Sequence, residues 1–141
     1  MFSLLLRLVG VKRLDNNYVV HRIFRLIDDS GFHVRQTSQH AFYPKGLTLS
    51  VILAESYLLV STWPEKDEIQ LDLFCCSLQS LDQIKQFLNR SLSMFKPQDF
   101  HFQIMDRTTM QVVEDAWQLQ EAKGGDAYGL VESCLEGSGK A

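Results

Sequence analysis

The spacing of apolar and polar positions changes several times along the chain, and each change marks an element. Residues 3–11 (Ser-Leu-Leu-Leu-Arg-Leu-Val-Gly-Val) are almost continuously apolar and branched, which predicts a strand. Asp15, Asn16 and Asn17 then offer side chains that can cap a helix. Val20, Ile23, Phe24 and Ile27 recur at helical spacing, and Asp28-Asp29-Ser30-Gly31 reads as the stop, with Gly31 suited to the left-handed C′ position. Residues 32–40 predict a second strand, and Pro44-Lys45-Gly46 a turn. Three further strands are expected at 47–54, 57–62 and 69–76, the last two separated by the polar run Glu65-Lys66-Asp67-Glu68. In the third run Ile69, Leu71, Leu73 and Cys75 alternate with Gln70, Asp72, Phe74 and Cys76. Ser80-Leu81-Asp82-Gln83 resembles a capping box, followed by a helical stripe of Leu81, Ile84, Leu88, Leu92 and Phe95 that Pro97 ends. Phe100, Phe102 and Ile104 alternate with His101 and Gln103 as in a strand. Residues 107–123 keep no clean period; Val112, Val113 and Trp117 fit a short helix. From Gly124 the chain turns rich in Gly, Glu and Ser, the composition of a loose tail.

The order β-α-β-β-β-β-α-β predicts an α+β two-layer sandwich, with helices on one face of a mostly antiparallel sheet. The other face, where apolar, also needs cover, and sheet-to-sheet pairing in a homodimer or with a homologue would provide it. Residues 1–106 are expected to form one domain and 107–141 a C-terminal extension, partly disordered.

Composition narrows the function classes. The 141 residues are 45% hydrophobic and 22% charged, with a net charge of −3, as in an ordinary globular domain. No Lys/Arg cluster offers a footprint for nucleic acid. No apolar run approaches the roughly 18 residues that span a bilayer. The apolar start is broken by Arg7 and lacks a basic region before it or a small-residue cleavage site after it, so a cytoplasmic location is expected. Cys75, Cys76 and Cys134 make no disulfide framework, and adjacent Cys75 and Cys76 point to opposite faces of a strand. His21, His33, His40 and His101 show no metal-ligand spacing, so no metal is expected.

Candidate chemistry lies between residues 40 and 76. Taken singly, Ser56 reads as a turn serine, Trp63-Pro64-Glu65 as a strand end, Cys76 as a core thiol, and Phe42 and Tyr43 as core or rim aromatics. No G-x-S-x-G elbow surrounds Ser56. Taken together, Glu55-Ser56-Tyr57-Leu58-Leu59-Val60-Ser61-Thr62-Trp63-Pro64-Glu65 resembles the processing segment of the bacterial-type S-adenosylmethionine decarboxylases. That family reads Glu-Ser-His, three apolar or small residues, then His-Thr-Trp-Pro-Glu. Upstream, His40-Ala41-Phe42-Tyr43-Pro44-Lys45-Gly46 is similar to its His-x-Phe…Pro…Gly approach. Downstream, Leu71-Asp72-Leu73-Phe74-Cys75-Cys76 is similar to its Asp-Leu-Phe-Thr-Cys strand. The resemblance covers roughly residues 3–105.

The resemblance implies a proenzyme. The Ser56 hydroxyl attacks the Glu55 carbonyl, the amide becomes an ester, and elimination breaks the chain and leaves a pyruvoyl group. Its carbonyl captures the amine of an S-adenosylmethionine-like substrate and serves as the electron sink for decarboxylation. By the same resemblance, Cys76 returns a proton to the substrate carbon, Phe42 and Trp63 sandwich the adenine, and Glu65 accepts hydrogen bonds from the ribose. Ser61 stands where the family has the histidine used in self-processing, and Thr48 where it has a serine near the processing site. Leu49 stands for a family glycine, and Tyr57 for the histidine after the processed serine. Imidazole exchanges a proton near neutral pH and an aliphatic hydroxyl does not, so Ser61 leaves His40 or water as the substitute base. The expected function is thus S-adenosylmethionine decarboxylation on the route to spermidine. The alternatives are a non-processing relative that binds ligand or regulates a partner subunit, and a decarboxylase of a basic amino acid.

Overall fold

The computed structural model describes residues 1–77 and 79–118. Seven strands form one antiparallel sheet in the order β2-β3-β4-β5-β1-β6-β7. They are β1 (Phe2–Val9), β2 (Val34–Ala41), β3 (Leu47–Leu53), β4 (Ser56–Trp63), β5 (Glu68–Cys75), β6 (Asp99–Asp106) and β7 (Gln111–Gln118). Two helices, α1 (Asn16–Asp29) and α2 (Ser80–Phe95), supply the second layer. The α+β sandwich expected from the element order is therefore the fold.

Alternation decides which face meets the helices. Leu4, Leu6 and Leu8 of β1, Leu47, Leu49, Val51 and Leu53 of β3, Leu58 and Val60 of β4, and Ile69, Leu71, Leu73 and Cys75 of β5 are all buried. They join Val19, Ile23, Leu26 and Ile27 of α1 and Ile84, Phe87, Leu88 and Leu92 of α2 in a single core. The intervening residues point to the opposite, open face, where Leu5, Ile52 and Leu59 are exposed.

Helix ends follow local chemistry. Asp15 accepts a hydrogen bond from the Tyr18 amide at 3.3 Å and caps α1, and Gly31 takes φ +79° just past its end. The stripe of α1 is centred one residue from expectation: Val19 and Leu26 are buried, whereas Val20 and Phe24 pack at its margin.

Two expectations are corrected. Ser80 makes no capping box, because α2 begins on Gln79 without a side-chain cap and the Gln83 carbonyl is turned toward Ser77 and Cys75. The segment read as a short helix around Val112 and Val113 is strand β7, paired with β6 from Phe100–Gln118 to Asp106–Gln111. A register shift between Ile104 and Met105 hides its alternation in the sequence. β7 also continues the sheet past residue 106. The tail beyond 118, including Cys134, lies outside the described residues.

Candidate functional site

The β3–β4 turn is only two residues long, Ala54 and Glu55, so Ser56 is the first residue of β4. Ser56 lies opposite Cys75 at the end of β5, which brings the next residue, Cys76, to the turn. The Cys76 thiol is exposed and lies 2.5 Å from the Glu55 carbonyl oxygen, the acceptor side of the Glu55–Ser56 link. Cys75, on the other face of the strand, is buried; its Sγ is 3.2 Å from Gln83 Oε1. The alternation of two adjacent cysteines thus leaves one in the core and one at the turn.

A cleft of about 240 Å³ opens beside the link, with Phe32, His33, Glu55, Ser56, Ser77 and Gln83 among its walls. Ser77 Oγ donates to Gln83 Oε1 at 2.5 Å, fixing one wall. On the other, the His33 carbonyl accepts from the Ala54 amide at 3.0 Å and binds the start of β2 to the turn. His33, Ser77 and Gln83 were not singled out by the sequence. Gln83 reads as a cap, Ser77 as a loop residue, and His33 as one of four scattered histidines.

The remaining candidates sit at the other end of β4. Trp63 closes the strand, and Pro64–Lys66 forms a 3-10 turn carrying exposed Glu65. Phe42 is half exposed, its amide donates to the Gly46 carbonyl at 3.0 Å, and its ring meets the His40 ring edge-on at 4.6 Å. Thr62 Oγ1 accepts from the Leu47 amide at 3.0 Å and holds this end of β3 to β4. Phe42, Trp63 and Glu65 are therefore gathered at one rim. Ser56, Glu55 and Cys76 are gathered at the opposite rim, about 20 Å away along β4 at the usual rise of a strand.

Thr48 and Ser61 occupy the open face between the rims. They belong to a transverse row set by register: His40 opposite Thr48, Thr48 opposite Ser61, Ser61 opposite Gln70, Gln70 opposite Arg7, Arg7 opposite His101. Ser61 stands five positions along the strand from Ser56, about 16 Å. Neither Ser61 nor His40 reaches Ser56 of its own chain.

The row is electrostatically tied. Arg7 Nη2 donates to Glu68 Oε1 at 2.8 Å, and Gln70 Nε2 to Glu68 Oε2 at 2.7 Å. These bonds hold the Glu68 carboxyl below its ordinary pKa. Burial pushes the Asp72 carboxyl up and the His101 imidazole down. An open-face cleft of about 450 Å³ joins Leu5, Arg7, Leu59, Ser61, Asp72 and His101. Nearer Ser56 the face is aromatic: the Tyr57 and Phe74 rings stack at 5.5 Å, and the Arg107 guanidinium lies 5.2 Å from the Phe74 centroid.

Comparison with known proteins finds relatives of this chain. A sequence model described as S-adenosylmethionine decarboxylase matches residues 4–108. The chain is 33% identical over 106 residues to S-adenosylmethionine decarboxylase proenzyme 2 of Bacillus cereus, covering 74% of this chain and 85% of that protein. The fold superposes on the crystal structure of the Aquifex aeolicus adenosylmethionine decarboxylase with a TM-score of 0.66 at 19% identity, covering 75% of this chain and 88% of the other. It also superposes on the Trypanosoma brucei AdoMetDC monomer with a TM-score of 0.51 at 17% identity, covering 73% of this chain but only 45% of the longer one.

Proposed function

Since the chain belongs to the S-adenosylmethionine decarboxylase family, we propose that it is a self-cleaving proenzyme whose mature form decarboxylates S-adenosylmethionine and so supplies the aminopropyl donor for spermidine. The observation that carries this reading is the Cys76 thiol set against the Glu55 carbonyl at the turn where cleavage would occur. That arrangement fits a group made from Ser56: the link sits in a tight turn, borders a cleft, and has a nucleophilic oxygen one residue from an approachable carbonyl. A pyruvoyl group there supplies a carbonyl that binds the substrate amine and accepts electron density as carbon dioxide departs.

The chain's own residues do the rest. Cys76, exposed beside that position, holds the proton destined for the substrate carbon. Phe42 and Trp63 offer aromatic faces to an adenine, each contributing about 1–3 kcal/mol by analogy with base stacking. Glu65, exposed on its turn, accepts from ribose hydroxyls. The two groups are about 20 Å apart in one chain, too far to share one substrate. We infer that a second copy, its open sheet face laid antiparallel on the first, brings the Trp63 rim of one protomer to the Ser56 rim of its partner. Exposed Leu5, Ile52 and Leu59 supply apolar area for that pairing.

A second reading, a non-processing ligand-binding or regulatory subunit, is favoured by Ser61, which puts a hydroxyl where the resemblance expects an imidazole. Intact mass and denaturing electrophoresis separate the two. The enzyme yields residues 1–55 and a second chain 56–141 with a blocked N-terminus, and releases carbon dioxide from carboxyl-labelled S-adenosylmethionine. A single full-length chain that S-adenosylmethionine stabilises thermally without turnover would establish the subunit reading instead.

A further inference from the structure

The second step of cleavage needs a base for a carbon-bound proton, and neither Ser61 nor Thr48 can serve. His40 lies in the Thr48–Ser61 row, more than 16 Å by strand rise from Ser56 of its own chain. The cleft beside Ser56 is lined by a different histidine. His33 shares its wall with Glu55 and Ser56, and the backbone bond from the Ala54 amide to the His33 carbonyl holds that residue beside the turn. Ser77 and Gln83, mutually bonded, line the same cleft, and among the described residues no second histidine does.

We propose that His33 is the base of self-processing, working within one chain. The inference rests on the proenzyme reading above. In the first step Ser56 Oγ bonds to the Glu55 carbonyl carbon, the C–N bond breaks, and the hydroxyl proton passes to the freed Ser56 amine. The His33 imidazole then removes the Ser56 α-proton. That electron pair forms Cα=Cβ as the Cβ–Oγ bond breaks, and Glu55 leaves as a C-terminal carboxylate. The imidazolium returns its proton to Cβ as the enamine becomes an imine. Water hydrolyses the imine, and ammonia departs. No oxidant or reductant is consumed.

The test follows the two chains by intact mass over time in wild type, His33→Gln, His33→Ala and His40→Gln, with circular dichroism and thermal melting as folding controls. The expected result is at least a hundredfold slower appearance of the two chains in both His33 variants, accumulation of a species that hydroxylamine cleaves as an ester, and wild-type processing in His40→Gln. Imidazole added to His33→Ala should restore cleavage, since the cleft is open to solvent. Folded His33 variants that process at the wild-type rate overturn the assignment while leaving the proenzyme reading intact. A block in His40→Gln with normal His33 variants transfers the role to His40 and overturns it too. A wild-type chain that never cleaves defeats the proenzyme reading and this assignment with it.

Discussion

At the residue scale, the site depends on which way two neighbouring thiols face. Strand alternation buries Cys75 in the core and leaves Cys76 exposed against Glu55. Cys76→Ala is expected to leave the two-chain mass pattern intact, because the Ser56 hydroxyl and the Glu55 carbonyl both remain. Carbon dioxide release, normalised to processed protein, should fall about 10²–10⁴-fold, the usual contribution of a positioned acid. Ser56→Ala should stay one chain under every condition while melting close to wild type, since a partly exposed hydroxyl contributes little to the core. The catalytic candidates were legible because motif spacing carries them. His33, Ser77 and Gln83 were not, because two segments far apart in the chain, around 33 and 77–83, supply them to one cleft.

At the element scale, α2 closes the helix face of the sheet. Leu88 is fully buried there, so Leu88→Ala should cost about 2–5 kcal/mol in urea unfolding, the range for a truncated core leucine. β1 and β5 are joined on the other face by the Arg7–Glu68 ion pair. Its pH dependence has a definite sign. The native Glu68 carboxyl titrates below its unfolded value, so its stabilisation is complete above the unfolded carboxylate range and is lost as pH falls through the native value. Asp72, raised by burial, opposes this, losing stability as pH climbs from its unfolded toward its native value. Glu68→Gln should therefore lower stability by about 1 kcal/mol at pH 7, and in urea melts the difference from wild type should shrink as pH falls below the ordinary carboxylate range.

At the scale of the whole molecule, the candidate residues lie on opposite rims of the sheet with an open face between them. The proposed pairing of two such faces would make two composite sites, each drawing residues from both protomers. Complementation tests this. Ser56→Ala and Glu65→Ala should each be nearly inactive alone. Mixed protomers should regain about a quarter of wild-type activity, because in a mixed pair both defects fall in one site and the other is intact; the expectation assumes random C2 assembly. Sedimentation of wild type should give a dimer at micromolar concentration. Full activity in a sedimenting monomer, or no recovery on mixing, would end the composite-site reading.

Local chemistry set most of the elements from the sequence alone. The period-2 runs of β3 and β5, the Asp15 cap and the Gly31 stop each answer to neighbours a few residues away, and the spacing of Glu55-Ser56, Thr62-Trp63-Pro64-Glu65 and Cys76 carried the family. Tertiary structure decided what depends on register and direction. It paired β7 with β6 across a bulge that masks the period, and it turned Gln83 from a cap into a wall of the Ser56 cleft. It also separated residues that look contiguous in one motif onto two rims. A strand advances about 3.3 Å per residue, so seven positions of apparent neighbourhood in a sequence become the length of the sheet in space.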